Sequence, residues 1–422
     1  MSDQPLKDGP LTGLRVLDLS RILAGPTCTQ LLGDMGADII KIERPERGDD
    51  TRGWGPPFVQ VDGEDSHESS YYLCANRNKR SLAVDLTTNE GQKIIQEIAA
   101  KSDIVVENYK VGDLARRGLD YETLHALNPR LIYCSISGFG QTGPYAPRAG
   151  YDFLIQGMGG IMSLTGQRDE DGGVETKAGV GIADVMCGMY ASNAILAALN
   201  ARHQTGQGQY IDLALLDTQV AWLINQGAAY LTNREVPGRL GNGHPSIVPY
   251  ETFPAADKQF ILAVGNDAQF LKFLEVGERT DLIKDERFST NAERVKNRDY
   301  VVPMIAAITR QKTADEWLAL LTKVGVPCGP VNNLEEVFND PQIKHREMEI
   351  TMPHDTADEK AVHLIGNPIK MSDTPVTYRH PPPRVGEHSA EILTELIGLD
   401  DQEIDQLANS GTITDGRLTK KE

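Results

Sequence analysis

Short apolar runs rich in Val, Leu and Ile alternate with helical patterns along the first half of the chain. Runs of this length, bounded by turn residues, are typical of buried strands. Strands that alternate with helices predict an α/β fold, with a doubly wound, parallel, Rossmann-like sheet in a large domain. Asn89 is the expected N-cap of the helix after the third run. The predicted strands are Leu14–Ser20, Ala37–Arg44, Ser81–Leu86, Asp103–Tyr109, Leu131–Phe139 and Gln209–Asp217.

The character of the chain changes near residue 226. A crossover rich in Gly and Pro precedes a hairpin pattern at Glu251–Gly265 and helical patterns over residues 268–325. Together these predict a smaller α+β domain over residues 226–330. Residues 1–225 are expected to form the N-terminal part of the large domain, and residues 331–422 a linker that returns to it.

The stretch GFGQTGP, Gly138–Pro144, has the glycine spacing of a dinucleotide-binding loop. That motif requires a helix directly after it, because the helix N-terminus holds the pyrophosphate. Pro144 and Pro147 follow the last glycine within four residues and cannot lie inside a helix. The sequence therefore predicts no NAD cofactor. We expect instead a loop at a strand end, where open α/β sheets place their ligand crevices.

Charge and cysteine content narrow the classes of partner. Lys and Arg number 42 against 60 Asp and Glu, a net charge of −18. This argues against a nucleic-acid or membrane partner, and an anionic ligand would need a local cluster of Arg and Lys. No apolar run approaches the roughly 18 residues of a membrane helix, and we find no signal peptide. The five cysteines show no C-x-x-C spacing, so we expect reduced thiols and a cytoplasmic location.

Asp184 is the most conspicuous polar residue for chemistry. The sequence has no G-x-S-x-G, H-E-x-x-H or Walker A motif, and its nine histidines are scattered, so no metal site is expected. Asp184 stands in the apolar stretch GVGIADVMCGMY, in the first turn of a helix predicted over Ala183–His203. One interpretation is a plain N-cap. The other is a desolvated carboxylate, kept ionised by the helix dipole and backbone N–H groups, that attacks an acyl carbon. Both can hold together.

Several long segments, in the same order, resemble the class III CoA-transferases, the group of formyl-CoA and carnitine CoA-transferases. They include RILAG (Arg21–Gly25), NRNKRS (Asn76–Ser81), RHQTGQGQYID (Arg202–Asp212) and GVPCGPVNN (Gly325–Asn333). In that family the Asp that begins the helix before R-x-x-T-G-x-G-Q is the nucleophile, and Asp184 matches it here. The resemblance implies that Asp184 attacks an acyl-CoA thioester, forming a mixed anhydride and then an aspartyl-CoA thioester, from which a carboxylic acid receives CoA.

The resemblance also implies which residues contact the substrates. Arginine suits phosphate oxygens, so Arg44, Arg116 and Arg148 could supply the local positive charge that an anionic ligand needs in an acidic chain. The residues expected to bind CoA are Arg21, Ile22, Leu23, Ala24, Arg44, Val84, Asn108, Tyr109, Arg116 and Arg148. Those expected around the substrate pocket are Trp54, Tyr72, Gln141, Tyr151 and Asp152.

Two departures from formyl-CoA transferases bear on the choice of acid. Leu23 stands where many of them carry Gln, and Gly238–Tyr250 occupies the region of their all-glycine loop. Oxalate and formate are therefore disfavoured. Segments such as GDDTRGWGPPF and GHPSIVPY look closer to transferases that act on succinate, glutarate and related dicarboxylates, so succinyl-CoA or a similar thioester is the expected donor.

Two alternatives remain beside the transferase. The same superfamily contains 2-methylacyl-CoA racemases, which pair a His in a G-H-D segment with the Asp that matches Asp184. Tyr151 replaces that His here, and a phenol with a pKa of about 10 is a poor base at neutral pH. The second alternative is a non-catalytic CoA-binding protein. Whichever holds, the resemblance implies an interlocked homodimer, with long crossovers around residues 205–245 and 325–345.

Overall fold

The computed structural model describes residues 9–417. In chain order the strands of this part are β1 Arg15–Asp18, β2 Asp38–Glu43, β3 Phe58–Val61, β4 Glu64–Ser69, β5 Lys79–Val84, β6 Ile104–Glu107, β7 Ile132–Ser137, β8 Tyr210–Ala214, β9 Tyr250–Pro254, β10 Gln259–Ala263, β11 Cys328–Pro330, β12 Glu349–Pro353, β13 Ala361–Ile365 and β14 Ile413–Thr414.

The helices of the same residues are α1 Ala24–Asp34, α2 Ser70–Leu73, α3 Asn89–Ala100, α4 Tyr121–Leu127, α5 Asp152–Met158, α6 Ile161–Leu164, α7 Ile182–Thr205, α8 Leu215–Ala221, α9 Ile224–Asn233, α10 Asp267–Val276, α11 Glu286–Ser289, α12 Asn291–Lys296, α13 Arg298–Thr309, α14 Ala314–Val324, α15 Leu334–Asn339, α16 Pro341–His345, α17 Ser389–Ile397 and α18 Asp401–Asn409.

The chain forms two compact units. The first comprises the chain up to Ile161, then Ala178–Leu231, then the chain from Gln342 onward, and the second comprises Met162–Lys177 and Thr232–Pro341. The limits that the sequence predicts for the small domain are residues 226 and 330. Met162–Lys177 was not predicted to belong to it, because this short stretch lies between two segments of the first unit.

A seven-stranded sheet forms the centre of the first unit, in the order β14-β5-β2-β1-β6-β7-β8. Six strands are parallel, and only β14, which pairs with β5 at one edge, is antiparallel. Leu17 of β1 is paired with Ile40 of β2 and Val105 of β6. The predicted α/β fold with a mainly parallel sheet is therefore confirmed, and each of the six predicted strands is present.

Both faces of this sheet are covered. Leu17 belongs to a buried apolar cluster with residues of α3 and α17, whereas its neighbour Val16 belongs to a second cluster with residues of α1 and α7. Successive strand residues point to opposite faces, so a continuous apolar run is what two covered faces require. The expected N-cap Asn89 is wrong by one residue: Thr88 precedes α3, and its hydroxyl accepts the N–H of Gly91 at 3.0 Å.

Helix α7 is the longest helix among the described residues. By length and composition alone it could cross a membrane, so the expectation that no apolar stretch approaches that length is wrong for α7. Half of the residues in its most apolar 18-residue stretch are buried within the protein. A Cβ at Gly188 would lie 2.5 Å from the backbone oxygen of Ala24 in α1. Glycine at this position therefore lets α7 pack closely against α1.

The second unit is a small α+β unit. Its antiparallel sheet has the order β11-β10-β9, which includes the predicted hairpin. Phe260, Phe270, Phe273 and Trp317 pack in its core, and the rings of Phe260 and Trp317 stack at 6.3 Å. The helical pattern over residues 292–311 is divided into α12 and α13 at Asn297.

Candidate active site

A cleft opens in the first unit at the carboxyl ends of β1, β6 and β7. The chain winds outward from β1 through β2 to β5 and then returns to β6 on the other side of β1. Open α/β sheets bind ligands at such a reversal of strand order. The cavity measures about 250 Å³. Its lining consists of Arg21–Ala24, Asn108–Val111, Asp113, Ile136–Gly138, Ala146, Arg148–Tyr151, Asp184 and Leu215.

The turn after β1 is held in an unusual conformation. Asn108 brackets Arg21: its amide oxygen accepts the Arg21 N–H at 2.9 Å, and its amide nitrogen donates to the Arg21 carbonyl at 2.7 Å. Ile22 has φ +71°, in the left-handed region that β-branched residues rarely adopt. Strain of this kind is typical of functional sites when the surrounding contacts enforce it. The predicted CoA-binding residues Arg21, Ile22 and Asn108 therefore lie together.

A buried ion pair lies beneath this turn. The Asp49 carboxylate accepts the N–H of Ile22 at 3.3 Å and a hydrogen bond from Lys41 at 2.9 Å. Burial opposes ionisation of Asp49, but the Lys41 ammonium outweighs it and holds the pKa of this carboxyl well below its usual range. A charged acceptor thus fixes the Ile22 backbone, and sequence patterns gave no signal for either partner.

Asp184 lies on the wall of the cleft, in the third position of α7. The N-cap of α7 is Gly181, so the interpretation of Asp184 as a plain N-cap is wrong. Within residues 9–417 its carboxyl group has no hydrogen-bond partner. Burial first, and the negative charge of Asp152 second, raise the pKa of Asp184 to about 7. The helix end was expected to keep this group ionised, whereas burial and the like charge of Asp152 act in the opposite direction.

Asp152 makes the capping contact instead. It opens α5, and its Oδ1 accepts the N–H of Ala183 at 2.8 Å. Asp152 was predicted to lie at the substrate pocket. It does not line the cleft, and it contacts instead the residue before Asp184. Tyr151, directly before it, does line the cleft and is 61% exposed.

Tyr71, rather than the predicted Tyr72, is the tyrosine near Asp184. Tyr72 is completely buried: its hydroxyl accepts from Arg52 at 2.6 Å and donates to the Pro383 carbonyl at 3.0 Å. Burial, followed by the charge of Asp184, raises the pKa of Tyr71 to about 12. The predicted pocket residue Trp54 packs edge-on against Tyr71, with ring centroids 5.3 Å apart. A neighbouring pair of tyrosines in the sequence did not reveal which ring faces the site.

A second cavity of about 130 Å³ contains two further predicted residues, Arg44 and Val84. It shares Arg21 and Tyr109 with the first cavity, so the two adjoin. Arg117 also lines it, and its guanidinium donates to the Leu86 carbonyl at 2.9 Å. Arg117 is not among the residues that the sequence predicted to bind CoA.

The predicted Arg116 lies outside both cavities. Its side chain is 72% exposed and is paired with Asp113. Arg116 and Arg117 are adjacent, so only the local backbone geometry decides which of them faces the cavity.

Gln141 lines a third cavity, which shares Tyr109, Lys110 and Val111 with the first cavity but does not include Asp184. This cavity measures about 330 Å³, and Gln141 donates to the Ser135 hydroxyl at 2.7 Å there. Glu107 accepts a hydrogen bond from the same hydroxyl, and burial raises the pKa of Glu107 to about 7. The structure therefore does not bring Gln141 together with the other predicted pocket residues.

The glycine-rich loop after β7 has a structural role. A Cβ built on Gly150 would lie 2.3 Å from the Cα of Gly138, so the two backbones touch where the loop begins and ends. Residues 138–150 contain no helix, as the two prolines predicted. Arg148, near the end of the loop, lines the first cavity and lies over the ring of Tyr145 at 4.6 Å. The loop thus presents Arg148 and Tyr151 to the cleft.

In the part of the chain that the structure describes, no group of three or more His, Cys, Asp and Glu side chains is placed to hold a metal ion. The five cysteines are free thiols.

Comparison with known proteins gives consistent matches over most of the chain. A family model described as CoA-transferase family III matches residues 11–389. A succinate–glutarate CoA-transferase of Agrobacterium fabrum is 47% identical over 396 residues, which cover 94% of this chain and 98% of that protein. A human succinyl-CoA:glutarate CoA-transferase is 41% identical over 404 residues, covering 96% of this chain and 90% of that protein. A crystal structure of a CAIB/BAIF family protein from Brucella suis is similar with a TM-score of 0.82 and 48% identity, covering 92% of this chain and 100% of that one.

Proposed function

Because the chain belongs to CoA-transferase family III, we propose that it exchanges CoA between two dicarboxylates, with succinyl-CoA as a donor and Asp184 as the nucleophile. The general reaction, transfer of CoA from an acyl-CoA to a free carboxylic acid, follows from the family and its relatives. One observation supports the role of Asp184 above all. Its carboxyl group lies without a hydrogen-bond partner, among the described residues, on the wall of the cleft at the strand ends.

The relatives support the choice of dicarboxylates. Both of the transferases compared above are named for the exchange of CoA between succinate and glutarate. Succinate and glutarate differ by one methylene group, and a single methylene is worth only about 1–3 kcal/mol of discrimination. We therefore expect several short dicarboxylates to be accepted, with monocarboxylates much poorer acceptors.

The proposed reaction begins with the ionised Asp184 carboxylate. One of its oxygens attacks the thioester carbonyl carbon, the C–O bond of a mixed anhydride forms, and CoA leaves as a thiolate. The thiolate attacks the Asp184 carbonyl, which gives an aspartyl-CoA thioester and frees the donor acid. The acceptor carboxylate then attacks this thioester, CoA leaves as a thiolate, and a second mixed anhydride forms. The thiolate attacks the acceptor's acyl carbon, which gives the new acyl-CoA and frees the Asp184 carboxylate. The energy of the thioester bond is retained, because every step exchanges one activated acyl bond for another.

The positive groups along the two adjoining cavities support a binding mode for CoA. Arg21, Lys110 and Arg148 line the first cavity, and Arg44 and Arg117 line the second. Arginine pairs well with phosphate oxygens. We propose that the thioester end of CoA lies in the first cavity beside Asp184 and the phosphorylated nucleotide in the second. These cations are the local cluster that an anionic ligand needs in a chain of net charge −18.

A homodimer is also proposed. Helices α5, α7 and α9 expose large apolar side chains, among them Phe153, Met189, Ile224 and Leu231. Large exposed apolar side chains can mark an interaction site where they form one patch, and a second copy of the chain is the occupant that the resemblance implies. Interlocking of the two chains is part of this proposal. Light scattering at micromolar concentration is expected to give the mass of a dimer, and a monomer would contradict it.

Two finer proposals concern the fold and the location. The six parallel strands lie in the order β5-β2-β1-β6-β7-β8. If these six alone are counted 1 to 6 along the chain, the order is 3-2-1-4-5-6, which supports a Rossmann-like classification of the sheet. The five free cysteines support a reducing, cytoplasmic location.

Neither alternative function gains support from the site. A racemase needs a second base opposite Asp184, and the cleft offers Tyr151 at that segment. A non-catalytic CoA-binding protein would not need an unpaired carboxyl group of raised pKa beside the ligand. Absence of deuterium uptake at the α-carbon of a 2-methylacyl-CoA in heavy water is the expected result for a transferase.

The proposed nucleophile is tested by Asp184→Asn. The amide has nearly the same shape but cannot form the anhydride, so exchange between succinyl-CoA and glutarate should fall at least a thousandfold. Binding of CoA, measured by calorimetry, should change less than threefold, because the carboxyl group does not touch the phosphates in the proposed binding mode. Exchange at near wild-type rate would show that another group is the nucleophile.

A further inference from the structure

Two side chains of α5 contact the segment that leads into α7. Asp152 accepts the N–H of Ala183 through Oδ1 at 2.8 Å, and its Oδ2 accepts the side-chain amide of Gln156 at 2.8 Å. These contacts reach the residue immediately before Asp184. The position of Asp184 is therefore determined from α5 as well as from its own helix.

Gln156 extends this contact backward along the chain. It is completely buried, its amide oxygen accepts the N–H of Ala178 at 2.9 Å, and its amide nitrogen lies 3.4 Å from the Val180 carbonyl. Asp152 and Gln156 thus hold the backbone on both sides of Gly181, where α7 begins. A buried amide with all its partners satisfied in this way restricts the segment strongly.

The charge of Asp152 acts on Asp184 differently in the free and the acylated enzyme. Two nearby carboxylates repel each other when both are ionised. When Asp184 attacks the thioester, its C–O bond forms, the C–S bond breaks, and the electron pair and negative charge leave with the CoA thiolate. The acylated Asp184 is neutral, so the repulsion from Asp152 is relieved in the covalent states.

This inference rests on the proposed role of Asp184 as nucleophile. We propose that Asp152 is a positioning residue which, with Gln156, fixes Asp184 at the cleft and favours its acylated form over its free carboxylate. It acts through Asp184 and the backbone of α7 rather than by contact with the substrate.

The other titratable groups that face Asp184 do not supply this charge. Tyr71 on α2 and Cys187 on α7 are neutral near pH 7, because burial raises the pKa of each to about 12. The same cleft is lined by Arg21, Lys110, Asp113, Arg148 and Tyr151. After burial, the charge of Asp152 is the cause that raises the pKa of Asp184, so its removal is expected to change the electrostatic environment of Asp184.

Two variants of the full-length protein separate charge from geometry. Asp152→Asn keeps an oxygen that accepts the Ala183 N–H and removes the charge, but its amide nitrogen replaces the Oδ2 that accepts from Gln156. The double variant Asp152→Asn, Gln156→Glu restores the net charge, lets the new amide donate to the new carboxylate, and keeps an acceptor for Ala178. It moves the charge one turn along α5, away from Ala183. Asp120→Asn is the control, because Asp120 also accepts a backbone N–H in the first turn of a helix, that of Thr123 at 3.1 Å, but as the N-cap of its own helix α4.

The readouts are the share of enzyme trapped as the Asp184 anhydride or CoA thioester with succinyl-CoA, the midpoint of the acidic limb of kcat/KM, and KM for succinyl-CoA. Asp152→Asn should lower the trapped share about tenfold and move the midpoint down by about one pH unit, with KM within twofold. The double variant should lie between this variant and the wild type. Asp120→Asn should match the wild type.

Several outcomes would overturn the inference. They are an unchanged trapped share and midpoint in Asp152→Asn, a double variant equal to the wild type, or the same shifts in Asp120→Asn. If Asp152→Asn does not fold, the double variant alone decides the question. Failure of the proposed function is a separate outcome: exchange would then survive in Asp184→Asn. If exchange is lost in Asp184→Asn but the Asp152 variants show no shift, only the positioning role fails.

Discussion

The carboxylate of Asp152 accepts the backbone N–H of Ala183 at 2.8 Å, directly before Asp184 in the first turn of α7. The capping of this helix and the chemistry of its first turn are thus divided between two acidic residues. Asp152 satisfies the helix end, which leaves the carboxyl group of Asp184 free to face the cleft. Burial first, and the charge of Asp152 second, raise the pKa of Asp184 at a position where helix dipoles usually lower it.

The rate of exchange should rise with pH through neutrality. Only the ionised Asp184 attacks the thioester, and its pKa of about 7 lies above the ordinary value, so the reactive fraction grows as pH increases from 5.5 to 8. We expect kcat/KM to rise about tenfold per pH unit below 7 and to level off above pH 8. Initial rates with succinyl-CoA and glutarate give this profile. A profile already flat at pH 5.5 would mean that the nucleophile has an ordinary carboxyl pKa.

The adjacent arginines 116 and 117 should differ in their effect on CoA binding. Arg117 lines the second cavity, whereas Arg116 is exposed and paired with Asp113. Arg117→Met should raise KM for succinyl-CoA about tenfold, the effect of one lost charge-assisted contact to phosphate, with kcat within twofold. Arg116→Met is the matched control and should change KM less than twofold. The reverse order would place the nucleotide elsewhere.

The neighbouring tyrosines 71 and 72 should separate catalysis from stability. Tyr71 lies near Asp184, so Tyr71→Phe should lower kcat about tenfold without changing the melting temperature. Tyr72→Phe removes a buried hydroxyl that accepts from Arg52 and donates to the Pro383 carbonyl, which should cost about 1–2 kcal/mol of unfolding free energy and leave kcat unchanged. Kinetics and chemical denaturation of both variants test this pair. Equal kinetic effects would show that neither ring is specific to the site.

The contact between Gly138 and Gly150 should be intolerant of a side chain. A Cβ on Gly150 would overlap the backbone of Gly138, so Gly150→Ala should destabilise the protein by about 1–3 kcal/mol. It should also weaken activity, because Arg148 and Tyr151 sit at that end of the loop. Gly53→Ala is the control, since nothing lies within 4 Å of its Cβ position. Equal stability of the two variants, measured by urea unfolding, would refute this role.

Much of the fold could be predicted from the sequence. The six parallel strands follow from apolar runs such as Leu14–Ser20, because burial on both faces favours apolar residues. The hairpin β3–β4 was missed, since its strands contain many polar residues, as EDSHES in β4 does. The hairpin β12–β13 was also missed, although β13, AVHLI, is mainly apolar. The edge strand β14 has only two residues and no pattern to detect.

The site was predicted less evenly. Residues of the turn after β1 and Asp184 were singled out because long segments around them resemble a family, and the structure places them at one cleft. The errors at Tyr72 and Arg116 are each one residue, and they arise because two similar side chains are adjacent. Sequence does not reveal which of two neighbours faces a cavity. The buried ion pair between Lys41 and Asp49 was missed for another reason. No sequence motif marks either residue, and the pair depends on how the folded segments pack.

The most direct test of this account is to trap the covalent enzyme. The protein is incubated with succinyl-CoA, quenched with borohydride or hydroxylamine, digested, and mapped by mass spectrometry. The account predicts one modified carboxyl group, Asp184, with the modification absent when free CoA replaces succinyl-CoA. Modification of a different carboxyl group, or none during active exchange, would contradict it.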